Sequence, residues 1–272
     1  MKRTTKILVW IAVIAGIISM AEFFFFKKKP VQPAPQTQNS VSAQQQAGET
    51  SSEIPPAAEN TTATSPDPAP TSDTTPDIAP AEPLPEKFLL QMPFYSQAPF
   101  SNWDKVHEEM CEEASVLNGG LYLLGEKPSK DAFEKELMAF KKLEEKELGD
   151  YKSNTIAEIK KVADIFFAEK INSKIIVGPT IEDIEKEIAA GNPVVAPLAG
   201  RDIGNPNFTP PGPVYHMLVI KGYDAQNFIT NDVGTRKGES YTYTKNVIMK
   251  NMHDWNPQDI HLGAKKVLVL MK

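Results

Sequence analysis

The chemistry open to this chain centres on one thiol. Cys111 is the only cysteine among 272 residues. It has no partner for an internal disulfide and no companions for a multi-thiolate zinc site. A lone cysteine is commonly a small buried hydrophobe. It becomes a nucleophile when three conditions meet: its thiolate is favoured, a base lies within hydrogen-bond reach, and a third group orients that base. The local pattern serves the first condition. Met110, Ala114, Leu117, Leu121 and Leu124 recur at helical spacing, which predicts a helix over Glu109–Leu124 with Cys111 near its start. Partial positive charge and unpaired N–H groups at that end favour an anion.

Four histidines compete for the role of base. His107 stands four residues before Cys111, beside Glu108 and Glu109, and the triplet matches no metal-binding spacing. His253, next to Asp254 at a helix end, and His261, in a late loop, read as surface residues. His216 differs, because it heads Met217–Ile220, a run apolar at every position that reads as a strand buried on both faces. Gly222-Tyr223-Asp224 then reads as a hairpin turn. With that turn centred on Asp224, His216 faces Asp232 across the two strands, where a carboxylate fixes the tautomer and stabilises the charged ring. A register shifted by one or two residues favours Asn231 instead. The remaining need is a donor for a developing oxyanion. The backbone N–H of Cys111 is one candidate, and the side-chain amide of Gln97 is a second.

The elements that would hold these residues follow from periodicity and punctuation. Lys87–Phe94 reads as an entering strand. Pro128–Leu148 is a charged amphipathic helix with Phe133, Leu137, Phe140 and Leu148 on one side. Thr155-x-x-Glu158 opens a helix to Lys170, and Thr180-x-x-Asp183 opens another that ends at Gly191. Strands are expected at Lys174–Val177, Pro193–Leu198, Tyr215–Lys221, Asn227–Asn231, Tyr241–Tyr243 and Lys265–Met271, with a helix over Lys245–Trp255. Helices come mostly early and strands mostly late, the pattern of an α+β domain with an antiparallel sheet.

Several of these segments, in order, resemble the C39-like cysteine peptidases, a family similar to the bacteriocin-processing peptidases of the papain-like superfamily. They are Pro93-Phe94-Tyr95-Ser96-Gln97, Trp103, Cys111-Glu112-Glu113-Ala114-Ser115, Tyr215 to Asp224, and Asn231-Asp232. The resemblance spans roughly residues 88–272. It implies a papain-like α+β fold with a Cys nucleophile at a helix start, His and Asp on adjacent strands, and an upstream Gln at the oxyanion. Carried over, these are Cys111, His216, Asp232 and Gln97, with no cofactor and no metal. The chain departs from the family in one place. Many members carry Gly-Cys-Gly-Pro around the nucleophile, and here the residues are Met110-Cys111-Glu112-Glu113. An acid beside the thiol opposes the thiolate if it points into the site. Successive helical residues diverge by about 100°, which allows Glu112 to point away. Asn205–Pro213, with four prolines, fits either a rim near His216 or a stiff surface loop.

Composition divides the chain into three. Residues 1–29 carry six Lys or Arg and one acid, and Ile7–Phe26 is apolar apart from Ser19 and Glu22. Twenty such residues match a bilayer core, so the segment reads as a signal anchor. Ser19-Met20-Ala21 also fits a signal-peptide cleavage site, which would leave the protein secreted. Residues 30–85 hold seven acids, no Lys or Arg, no aromatic residue and twelve of the 23 prolines. That composition reads as a disordered spacer. Residues 86–272 carry a net charge of −4 without a basic run, which argues against nucleic-acid binding, and they are enough for one domain with a sizeable core.

The expected protein is therefore a membrane-tethered, extracytoplasmic cysteine peptidase acting on peptide or protein substrates. The rival is a catalytically weak or inactive peptidase-like module that binds peptides or cell-wall material. The bacteriocin-processing relatives are fused to an export ATPase. This chain has neither a Gly-rich phosphate loop nor multiple spans, so no transporter partner is expected within it.

Overall fold

The computed structural model describes residues 83–272. The signal anchor and nearly all of the spacer lie outside the described residues. Among those described, no helix is long and apolar enough to cross a membrane.

Among the described residues, the apolar runs form seven strands: β1 (Phe88–Leu89), β2 (Asn172–Val177), β3 (Val194–Ala199), β4 (Tyr215–Tyr223), β5 (Asn227–Asn231), β6 (Tyr241–Thr244) and β7 (Lys266–Met271). They make one antiparallel sheet in the order β2-β7-β3-β4-β5-β6. β1 pairs with the far end of β4, through Phe88↔Tyr223 and Leu89↔Gly222. Every residue of β3 and β4 is buried, which is why the Met217–Ile220 stretch of β4 reads as a continuous apolar run rather than an alternating one.

The described residues also form five α-helices: α1 (Cys111–Leu124), α2 (Lys130–Leu148), α3 (Ile156–Phe167), α4 (Ile181–Ala189) and α5 (Lys245–Asn251). Residues Cys111 to Leu121 of α1 are all buried, because the helix packs between the sheet and the helices α2 and α3. α2 buries Phe133, Leu137 and Phe140 and leaves its charged side to solvent. Side chains hold the helix starts as their spacing predicts. Thr155 with Glu158 and Thr180 with Asp183 form complete capping boxes, and Gly125, at φ 73°, ends α1.

Three local expectations are corrected. The entering strand covers two residues rather than Lys87–Phe94. Met92 N–H turns back to Leu90 O at 2.8 Å, and Pro93 has no N–H to continue a ladder. The helix expected from Glu109 begins at Cys111, after a separate 3-10 turn over His107–Glu109. The helix expected to reach Trp255 stops at Asn251.

The hairpin register also differs. Val219 pairs with Asn231 and Ile220 with Thr230, and a bulge at Lys221 shifts the pairing to Gly222↔Ile229. Extending that ladder sets Asp232 opposite Leu218, two residues from His216 on the same face. His216 and Asp232 are thus diagonal neighbours rather than a direct pair, a separation that polar side chains bridge.

Candidate active site

α1 delivers Cys111 at its first residue, against the middle of the sheet. No side chain caps this end of the helix. The Met217 N–H, one residue along β4 from His216, donates to Cys111 Sγ at 3.4 Å. The sulfur therefore rests on the strand that carries the imidazole. Its own proton goes elsewhere: Sγ donates to Glu112 Oε2 at 2.9 Å, and no hydrogen bond joins Cys111 to His216. Burial pushes the thiol well above its usual range, and the Glu112 charge and hydrogen bond push it further. The Met217 N–H acts in the opposite sense.

Glu112 therefore points into the site, contrary to the orientation that the 100° helical step allows. The side chain is long enough to fold back across the first turn, where its carboxylate stays near the backbone N–H groups of Glu112 itself and of Asn154. Burial is the largest influence on this carboxyl and raises it to about 7.

His216 Nε2 lies 2.8 Å from Asp232 Oδ1, with both side chains buried. An ionised Asp232 makes Nε2 the donor, which leaves Nδ1 as the free ring nitrogen. Phe208 meets the ring edge-on, with centroids 5.2 Å apart. Gly234 closes over it, and a Cβ there would fall 2.7 Å from His216 Cε1.

Asp232 is held by four donors. Besides the imidazole, Gly234 N–H reaches Oδ1 at 3.1 Å, while Asn205 Nδ2 at 2.8 Å and the Tyr243 hydroxyl at 2.5 Å reach Oδ2. Burial raises its carboxyl. The attraction of His216 and the hydrogen bonds from His216, Tyr243 and Asn205 outweigh that, and hold it below the usual carboxylate range.

Gln97 lines the same cleft. Its backbone N–H donates to Val233 O at 3.0 Å, beside Asp232. Its side-chain Nε2 donates to His107 O at 2.7 Å and to Glu108 O at 3.2 Å, so the amide faces the 3-10 turn ahead of Cys111. Asn118, on α1, clamps the segment upstream. It accepts from Tyr95 N–H at 2.9 Å and donates to Tyr95 O at 2.9 Å.

The other histidines have separate engagements. His107 sits between Asp104 Oδ1 at 2.8 Å and Glu134 Oε1 at 2.9 Å. Burial lowers its pKa, but hydrogen bonds and charge from both acids raise it overall. His253 Nδ1 lies 3.0 Å from Gly263 O. The exposed His261 reaches Asp202 and Asp259, and a buried Asp254 caps α3 through Ile156 N–H at 2.8 Å.

Cys111, His216, Gln97, Glu112, Phe208 and Trp255 all line one open cleft of about 610 Å³. The proline-rich stretch supplies a wall through Thr209, Pro211, Gly212 and Pro213, the rim reading of that segment. Asn118, Asn205 and Tyr243 have no role in a reading of sequence alone. Asn205 opens the proline-rich stretch and Tyr243 lies in an alternating strand, but no spacing rule ties either to Asp232.

A solved structure of a provisionally assigned C39-like peptidase from Bacillus anthracis is similar at 16% identity, covering 69% of this chain and 98% of that one, with a TM-score of 0.46. No protein with a curated description matches. The model of the Peptidase_C39 like family matches residues 89–259, a span that takes in the thiol, the imidazole and the carboxylate, and the chain belongs to that family.

Proposed function

We propose that this protein is a cysteine peptidase that cleaves peptide amide bonds with Cys111 as nucleophile, His216 as base and Asp232 as the group that orients His216. The observation that carries the reading is the shared cleft. The Cys111 sulfur touches the backbone next to His216, and the imidazole is fixed through Nε2 by a buried, ionised carboxylate. Nδ1 is then the nitrogen that takes the thiol proton. The thiolate attacks the carbonyl carbon, and the oxyanion falls at the helix start, near the Cys111 N–H. Gln97 adds a second donor through the amide proton held by the longer contact, 3.2 Å to Glu108 O. His216 returns its proton to the leaving amine, and water hydrolyses the thioester. A neighbouring hollow of about 590 Å³ shares Trp103, Thr209 and Gly234 with the cleft and adds room beside it for more of a peptide.

The composition of residues 1–85 supports a location to match: an apolar segment flanked by lysines, then a proline-rich acidic spacer, then the peptidase domain. In this reading the domain is tethered outside the cytoplasm. Protease added to intact cells should release it, and complete protection would overturn the orientation.

The catalytic reading is tested with a thiol-alkylating probe and a peptide-library digest on wild type, Cys111→Ala and His216→Ala. Cleavage and fast labelling that both disappear in Cys111→Ala, with labelling slowed in His216→Ala, are the expected result. The hydrogen bond from Cys111 to Glu112 favours a second reading, a peptidase-like module that binds peptides without cleaving them. Peptide binding unchanged by Cys111→Ser, with no cleavage by either protein, would establish that module.

A further inference from the structure

We infer that Glu112 is an additional catalytic residue, a protonation gate that withholds the Cys111 thiol while ionised and assists the thiolate once protonated. The inference rests on the proposed roles of Cys111 and His216. Its ground is the geometry at the sulfur. Sγ has two polar partners, the Met217 N–H at 3.4 Å and Glu112 Oε2 at 2.9 Å. One is fixed backbone. The other is a side chain only 1% exposed that lines the cleft, and its second oxygen, Oε1, has no hydrogen-bond partner.

The hydrogen bond has two possible directions, and they have opposite consequences. With Glu112 ionised, the thiol must be the donor. Its proton then lies towards the carboxylate and away from His216 Nδ1, and a second anion beside the carboxylate is strongly disfavoured in this buried place. With Glu112 protonated, the carboxyl O–H donates to sulfur. The S–H proton passes to His216 Nδ1, and the thiolate accepts from Glu112 O–H and Met217 N–H. One proton from solvent resides on Glu112, one moves from sulfur to nitrogen, and the site carries thiolate, imidazolium and neutral carboxyl.

The groups around Glu112 set where the gate acts. Burial raises its carboxyl to about 7, within reach of ordinary changes in pH. Cys111 and Glu113 flank it on α1, Glu144 faces it from α2, and His216 and Tyr215 face it from β4. The nearby N–H groups of Glu112 and Asn154 favour the ionised form, as does His216, whereas Glu113 and Glu144 oppose it when charged. The gate therefore opens on the acid side of neutrality and closes on the alkaline side.

The test is the pH profile of Cys111 alkylation by iodoacetamide in wild type, Glu112→Gln, Glu112→Asp and His216→Ala, using the full chain. In wild type the rate should fall as pH rises through about 7 and recover only where the thiol itself ionises. In Glu112→Gln the fall near neutrality should vanish, so that at pH 8 the variant reacts at least tenfold faster than wild type. Glu112→Asp keeps a fall but moves it. A wild-type rate that climbs smoothly through neutrality overturns the gate without any variant. So does a Glu112→Gln profile that matches wild type. If His216→Ala changes nothing at any pH, the base role of His216 fails instead, and the two failures are distinguishable.

Discussion

The Tyr243 hydroxyl lies 2.5 Å from Asp232 Oδ2, on the carboxylate oxygen that His216 does not use. With Asn205 on the same oxygen, it stops the buried carboxylate from rotating and leaves Oδ1 for the imidazole. Tyr243→Phe removes one of these donors and little volume. We expect a loss of about 1–3 kcal/mol in stability, since a buried charge loses a partner. In the proposed mechanism kcat also falls about tenfold with KM little changed, by analogy with the groups that support metal-bound His. Stability is read by urea denaturation, and activity on any peptide that wild type is found to cleave. A variant that loses stability but keeps kcat would make Tyr243 a purely structural residue.

Asn118 acts on the opposite wall. Its amide takes both polar groups of the Tyr95 backbone, and its Nδ2 also reaches Ala114 O at 2.7 Å. Two residues beyond Tyr95, Gln97 reaches the turn ahead of Cys111. Asn118→Ala should cost about 2 kcal/mol, from two part-buried backbone groups left unpaired. It should also lower kcat, because Gln97 loses its anchor. Asn118→Asp keeps an acceptor for Tyr95 N–H but sets a buried carboxyl against the carbonyls of Tyr95 and Ala114, so its midpoint should fall at least as far as that of Asn118→Ala. Equal midpoints for the three proteins would refute the clamp.

The contrast between His216 and Glu112 shows what is legible in the sequence. His216 stands out because the run behind it is apolar at every position, a pattern set by burial on both faces of β4. The antiparallel sheet and the capped helices follow from local rules of the same kind. The His216–Asp232 contact is found from an incorrect register, and it survives because diagonal neighbours also meet. Glu112 is illegible for a different reason. Helical spacing fixes the direction of its Cβ, but three further torsions carry the carboxylate back to the thiol. Asn205, Tyr243 and Asn118 are hidden because each acts on a residue at least 11 positions away, through contacts that only the folded chain creates.

Gly120 shows how closely α1 must approach its neighbours. A Cβ at this position would fall 2.1 Å from Phe167 Cζ on α3. Gly120→Ala normally favours a helix by about 1 kcal/mol. Here the overlap should reverse the sign, with a net cost of about 1–3 kcal/mol from forced displacement of the ring. The pair Gly120→Ala with Phe167→Leu should be less destabilised than the sum of the single changes, because the smaller side chain makes room. Additive losses in that double-mutant cycle would exclude a steric cause.

Glu113 on α1 and Glu144 on α2 place two carboxyls in the interior, and both side chains are fully buried. Neither oxygen of Glu113 has a hydrogen-bond donor, nor has Glu144 Oε2, and a proton shared between the two groups would supply one. Burial raises both carboxyls, Glu144 to about 8 and Glu113 well above its ordinary value. In the unfolded chain each ionises near 4.5. Between those limits the folded state binds more protons than the unfolded state, so stability falls as pH rises. The slope reaches about 1.4 kcal/mol per pH unit for each such carboxyl and levels off above the folded value. Glu144→Gln removes one of the two titrating groups and leaves an amide that donates to Glu113. Urea midpoints at pH 5.5 and 8.5 should therefore drop less in Glu144→Gln than in wild type. An equal or larger drop in the variant would mean that the pair does not share a proton in the folded protein.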